Sequence, residues 1–226
     1  MEEAGLWGFV GGNAAGRKPT WVRDGERIAI GTARLDHPSD GGRQGPNRSL
    51  LATDLARILH AWTRMGRDAA SLLGDFAYVM HDGEHRSTAG VRDVFGVDTL
   101  YYRTFPGFVA FASRADVLAL DNAYDSAYFA EYLGRVSNAP RTPYSDVFAV
   151  PAAHVAQWTN GTLVLRRYWS GESFTAPNTS ASPVLVDEFR ERFNDAVRTR
   201  LLPYAPTWAQ LSGGLDSSSV VSTAQS

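Results

Sequence analysis

The run Ser212-Gly213-Gly214-Leu215-Asp216-Ser217-Ser218 carries the most chemistry in the chain. Gly213 and Gly214 have no Cβ, so the backbone there can approach an oxygen-rich ligand closely. The hydroxyls of Ser212, Ser217 and Ser218 add donors. With a strand feeding this turn and a helix opening after it, unpaired backbone N–H groups and the positive end of the helix dipole converge on one point, which is an anion site. Asp216 repels a bare phosphate, so the pattern points to a nucleotide bridged by Mg²⁺, with Asp216 on the metal. The run lacks the Gly-Lys-Ser/Thr of a Walker loop. The competing reading is a flexible Ser/Gly tail.

The elements around this run divide the chain. Segments Leu6–Val10 and Arg27–Ala33 read as strands, Gly11-Gly12-Asn13 as a turn, and Asp36–Asn47 as a loop. From Ser49 to Met65, the spacing of Leu51, Leu55, Ile58, Leu59 and Trp62 predicts an amphipathic helix. Four strands follow, Gly74–His81, Arg86–Arg92, Thr99–Phe105 and Phe108–Ser113, with turns at Asp82-Gly83 and Pro106-Gly107. Short helices are expected at Ala115–Leu120 and Ser126–Leu133. Asn160-Gly161 predicts a hairpin between His154–Thr159 and Thr162–Trp169, because both central residues of such a turn need positive φ.

Ser170–Ser182 reads as a linker. Ser182 is a candidate N-cap before Pro183, and Val186, Phe189, Phe193, Ala196, Val197 and Leu201 line one face of a long helix. Thr207–Leu211 reads as the short strand feeding the glycine run. The expected order is an α+β domain over 1–169, a linker over 170–182, and over 183–226 the incomplete start of a second, α/β domain.

Composition sets the exclusions. The 226 residues hold 22 Lys+Arg against 24 Asp+Glu with no basic block, which argues against a nucleic-acid partner. No apolar stretch reaches the roughly 18 residues of a membrane span. The acidic start Met1-Glu2-Glu3-Ala4 lacks the basic region of a secretory signal, so a cytoplasmic protein is expected. The absence of cysteine excludes a thiol nucleophile and cysteine-ligated metals. His81 and His85, four apart, flank a predicted turn, where helical convergence on a metal does not apply. Gly11–Gly16 reads as a surface turn, and the Trp and Tyr residues as packing.

The Ser-Gly-Gly-x-Asp-Ser run resembles the pyrophosphate-binding loop of ATP pyrophosphatases. The order of features is similar to the asparagine synthetase family, over nearly the whole chain. Leu73-Gly74-Asp75-Phe76-Ala77-Tyr78 resembles that family's entry into a central strand. Val91-Arg92-Asp93-Val94-Phe95-Gly96-Val97 with Leu100-Tyr101-Tyr102 resembles its Arg-Asp-x-x-Gly-x-x-x-Leu-Tyr-Tyr signature. Val147 to His154 with Tyr168-Trp169 resembles the run that closes the domain. The resemblance implies a class II glutamine amidotransferase-like domain of Ntn-type αββα fold, followed by the first strand, loop and helix of an ATP-pyrophosphatase domain.

It further implies ATP and Mg²⁺ as cofactors, held by Ser212, Gly213, Gly214, Leu215, Asp216, Ser217 and Ser218. For glutamine hydrolysis the family uses a cysteine at the processed N-terminus, whose α-amine is the base. Here Glu2 stands at that position, and no Ser or Thr precedes Thr20. The family's Asn-Gly oxyanion donors fall near Gly31–Asp36, which reads Gly-Thr-Ala-Arg-Leu-Asp; Arg34 and Asp36 have structural readings there. Asp93 corresponds to a substrate-side acid of active relatives, although beside Arg92 it reads as a structural ion pair or a turn former. The domain is therefore expected not to hydrolyse glutamine.

Three functions remain open. One is an ATP-dependent amide-forming ligase acting on aspartate or on a peptide Asp/Glu side chain, in the manner of lasso-peptide macrolactam cyclases with a precursor peptide as partner. Another is a glutamine-hydrolysing asparagine synthase. The third is an inert, truncated or scaffolding module, in which these 226 residues alone do not turn over ATP.

Overall fold

The structure is a computed structural model, and it describes residues 20–36, 50–65, 72–120, 123–136, 140–171, 183–201 and 207–225. The readings at Glu2, Leu6–Val10 and Gly11–Gly16, most of the Asp36–Asn47 loop and most of the 170–182 linker lie outside these residues. The chain forms two compact units. The first contains β1 (Thr20–Asp24), β2 (Arg27–Leu35), α1 (Leu50–Met65), β3 (Gly74–Asp82), β4 (Ser87–Arg92), β5 (Tyr101–Phe105), β6 (Phe108–Ala112), α2 (Ser126–Leu133), β7 (Phe148–Ala149), β8 (His154–Thr159) and β9 (Thr162–Arg167). The second contains α3 (Pro183–Arg198) and α4 (Leu215–Gln225).

Two antiparallel sheets organise the first unit, one of order β1-β2-β3-β4-β8-β9 and one of order β6-β5-β7. The expected α+β class with antiparallel sheets is present. Strand alternation explains the layers, because successive side chains leave a strand on opposite faces. Phe76, Tyr78 and Met80 of β3 join Ala89, Val91 and Val155 in a cluster with Leu55, Ile58 and Leu59, the buried stripe of α1. Ala77 and Ala156, from the opposite face of the same sheet, pack with Leu100, Tyr102 and Val150. The layers thus run helix, large sheet, small sheet. Tyr102 stacks on Phe148 at 5.7 Å between ring centroids, within the small sheet.

Contact between the sheets is close at Gly90. A Cβ built there would overlap the Phe111 ring and come within 3.1 Å of Leu100 Cδ2. Glycine at this position is what lets β4 sit under Phe111.

Turn chemistry holds where the residues demand it. Asn160 and Gly161 have φ of 51° and 81°, and they join β8 to β9. The α2 helix is capped by Asp125, whose carboxylate accepts from the backbone N–H of Ala127 at 2.9 Å and of Tyr128 at 3.3 Å.

Three elements differ from expectation. Ala115–Leu120 forms turns rather than a helix: Leu118 N donates to Ala115 O at 3.1 Å, and the Asp116 carboxylate is held by Arg114. Six residues cannot offset the cost of helix nucleation without an apolar stripe to bury. Thr207–Leu211 is not a strand, since no described strand lies beside it to complete a ladder, and Trp208 is 93% exposed. Strand β1 was not expected, because its apolar content is limited to Trp21 and Val22 on a sheet edge.

Two substitutions test this packing. Gly90→Val is expected to lower unfolding stability by about 1–3 kcal/mol by overpacking, with part of the loss recovered in combination with Phe111→Leu. The Tyr78 hydroxyl is fully buried with no hydrogen-bond partner. Tyr78→Phe is therefore expected to leave stability unchanged or to raise it by about 1 kcal/mol in urea denaturation.

Candidate functional site

The polar end of the large sheet is built around β4 and the turn that follows it. Asp93 is 1% exposed, and its carboxylate accepts three backbone N–H bonds. Phe95 N and Val97 N donate to Oδ1 at 3.0 and 3.1 Å, and Asp98 N donates to Oδ2 at 3.2 Å. Hydrogen bonds to a charged acceptor contribute about 1.5–3 kcal/mol each. Asp93 is thus a turn former. The ion-pair alternative with Arg92 is not realised, because the Arg92 guanidinium is spent on carbonyls: Asp98 O at 2.7 Å, Val150 O at 2.9 Å and Gly96 O at 2.7 Å.

The same knot reaches the end of the domain. Tyr168 donates its hydroxyl to Arg92 O at 2.7 Å, and its backbone N–H to Ala153 O at 2.9 Å. Burial pushes the Tyr168 phenol well above its ordinary range, and the Asp93 carboxylate adds to the shift. On β2, Thr32 Oγ1 donates to Asp98 Oδ2 at 2.9 Å, and Arg34 holds Asp75 Oδ2 through Nε and Nη2 at 3.3 and 3.2 Å.

Gly31 to Leu35, where oxyanion donors were sought, lie inside β2 in register with Tyr78 to Gly74. Asp36, in the second unit, accepts from Arg200 Nη1 at 2.5 Å. His81 and His85 do not converge on a metal: His81 Nδ1 meets Thr88 Oγ1 at 2.9 Å, and His85 Nδ1 meets Asp82 Oδ2 at 3.0 Å. The β3–β4 turn does bring Asp82, Glu84 and His85 within 4.8 Å of one another, a grouping the sequence reading missed. Arg27 fills the place of a cation there, with Nε 3.1 Å from Asp82 and Nη2 3.3 Å from Glu84. Burial pushes the Asp82 carboxyl up, but the bonds from Arg27 and His85 outweigh it and hold it below its usual range.

In the second unit, the glycine run opens α4, with Asp216 in its first turn. Gly213 takes φ of 78°, a conformation that favours glycine. Ser212 and Ser217 face each other at 3.0 Å between their hydroxyl oxygens. Ser217 Oγ also donates to Gly214 O at 3.2 Å and accepts from Ser212 N at 3.3 Å, and Ser218 N donates to Gly214 O at 3.1 Å. The loop and Asp216 are exposed, so Ser212, Gly213, Gly214, Leu215, Asp216, Ser217 and Ser218 lie together at the head of one helix. The backbone N–H groups of a first helical turn lack intrahelical partners. With the neighbouring hydroxyls, they form a donor set that fits phosphate oxygens.

Known proteins match both units. Residues 47–169, just over half of the chain, match the glutamine amidotransferase domain family, and residues 188–226 match the asparagine synthase family. The chain belongs to the asparagine synthetase family. Its antiparallel α+β unit carries the glutamine amidotransferase match. A glutamine-hydrolysing asparagine synthetase of Bacillus subtilis is 28% identical over 179 residues, covering 76% of this chain and 28% of the relative. An Arabidopsis thaliana homologue is 30% identical over 176 residues, covering 76% and 26%. The amidase chyE of Penicillium rubens is 27% identical over 155 residues, covering 66% and 23%. The chain thus spans less than a third of the length of these curated relatives. A solved glutamine phosphoribosylpyrophosphate amidotransferase from B. subtilis aligns at a TM-score of 0.39 and 10% identity, over 96% of this chain and 46% of its own.

Asp93→Ala is expected to cost this synthetase-family chain about 3 kcal/mol, since it strands three amides in a buried turn. The loss should appear in urea denaturation of the first unit. A loss under about 0.5 kcal/mol, the range of an ordinary surface substitution, would show that the turn does not depend on Asp93.

Proposed function

We propose that the chain is part of an ATP-dependent amide-forming ligase that has no glutaminase activity. The observation that carries this reading is the exposed Ser212–Ser218 loop at the N-terminus of α4, inside the asparagine synthase match. Mg-ATP would supply the phosphoanhydride that activates a carboxylate. Ser212, Ser217 and Ser218 would donate to pyrophosphate oxygens together with the backbone N–H groups of Gly213 to Ser217. Asp216 would hold Mg²⁺. The carboxylate would be aspartate or a peptide Asp/Glu side chain.

Two observations support the loss of glutamine chemistry. The chain has no cysteine, so it offers no thiol nucleophile. The Gly31–Asp36 stretch, where the resemblance puts the family's Asn-Gly oxyanion donors, reads Gly-Thr-Ala-Arg-Leu-Asp. These weigh against a glutamine-hydrolysing asparagine synthase. A substrate carrying its own amine, as in lasso-peptide macrolactam formation on a precursor peptide, fits such a domain. A precursor-peptide gene beside this one would support that narrower reading, and ATP-dependent asparagine formation from free ammonia would oppose it. A cytoplasmic location agrees with an ATP-dependent synthetase; no helix among the described residues is long and apolar enough to cross a membrane.

A second reading, a scaffold that performs no chemistry, is favoured by the second unit. Among its described residues there are two helices and no strand, and Phe189, Trp208, Leu211 and Leu215 are exposed.

Two measurements separate these readings. Mg-pyrophosphate added to the chain is expected to shift the amide resonances of Gly213 to Ser218, and Ser217→Ala is expected to weaken the interaction about tenfold, the loss of one hydrogen bond to a charged group. Undisturbed loop resonances would favour the scaffold. The purified chain is expected to release no glutamate from glutamine, and measurable release would overturn the assignment.

A further inference from the structure

We infer that the outward face of α2 is a contact surface for a second copy of this chain, so that the first unit associates as a weak twofold dimer. Polar ties fix one side of this helix to its own unit. Arg141 donates to the Asp125 carboxylate at 2.9 Å and lies 3.5 Å from Glu131, and Asp125 N donates to Pro143 O at 2.9 Å. Phe129 and Leu133 each stand about 160° around the helix from Glu131, since every residue advances the turn by about 100°. They face solvent. Phe129 is 42%, Tyr132 69% and Leu133 81% exposed, and no residue of α2 is buried.

This face is continuous and uncharged. Between ring centroids, Tyr124 lies 6.1 Å from Phe129, Phe129 5.6 Å from Tyr128, and Tyr128 6.3 Å from Tyr132. Leu133 follows Phe129 by one turn, and the exposed Val136 lies just past the helix. At about 200 Å² for an aromatic side chain, the exposed fractions leave roughly 500 Å² of side-chain surface open. Two such faces pressed together bury roughly 1,000 Å², the lower bound for a specific interface, which makes the association weak. In a twofold contact each patch meets its own copy. A charged face would then repel itself, but the acids of this segment, Asp125 and Glu131, lie toward Arg141. Antiparallel apposition of the two helices also opposes their dipoles. The face is thus complementary to itself.

Sedimentation velocity of the 226-residue chain from about 5 to about 500 µM tests this. A monomer–dimer equilibrium with a Kd of about 100 µM is expected from an interface of that size, and the amide resonances of Ser126 to Val136 are expected to shift with concentration. Leu133→Asp is expected to weaken the dimer at least tenfold, with the urea midpoint unchanged, because twofold symmetry places the new charge in the contact twice. Phe189→Asp, on the exposed face of α3 in the other unit, is expected to leave the dimer as it is. A chain that stays monomeric at the top of the concentration range would overturn the inference. Association that survives Leu133→Asp, or that is lost with Phe189→Asp instead, would overturn it equally.

Discussion

Burying a carboxylate is costly unless hydrogen bonds replace its water, and Asp93 meets that condition with three amides of the turn it starts. The turn then delivers the carbonyls of Gly96 and Asp98 to Arg92, whose remaining bond reaches Val150. Arg92 O in turn receives Tyr168, and Asp93 O receives Ala153. Segments far apart in sequence meet at this pair of adjacent residues, the buried Asp93 and the half-buried Arg92. The end of the large sheet, its link to the small sheet at Val150 and the stretch after β9 are all tied to the pair.

This tie is a matter of stability, separate from any reaction. The family signature around Arg92-Asp93 serves structure here, through bonds that need no substrate. Function resides in sites carried by folds. In this chain the amidotransferase domain is held by its sheets and cores, while the proposed pyrophosphate donors, the serines and glycines at the head of α4, lie in the other unit.

Local patterns were readable from the residues. The buried stripe of Leu55, Ile58 and Leu59 announced α1, the alternation of Phe76, Tyr78 and Met80 announced β3, and Asn160-Gly161 announced the last hairpin of the large sheet. The family signatures and the glycine loop were likewise visible. Non-local facts were not. No local pattern pairs β4 with β8 or sets Gly90 beneath Phe111. Local periodicity also misled at Ala115–Leu120 and Thr207–Leu211, where short apolar runs found no surface on which to form a regular element. The role of Asp93 was half legible: its turn-forming chemistry could be read from its type, but Arg92's choice of carbonyls over the adjacent carboxylate depends on residues up to Val150.

The central claim is that the chain keeps an amidotransferase fold, has lost the glutamine site, and retains a loop for pyrophosphate. Parallel calorimetric titrations of the 226-residue chain with Mg-pyrophosphate and with L-glutamine test it most directly. Saturable heat with Mg-pyrophosphate and none with glutamine is the predicted result. Saturable heat with glutamine and none with Mg-pyrophosphate would contradict it.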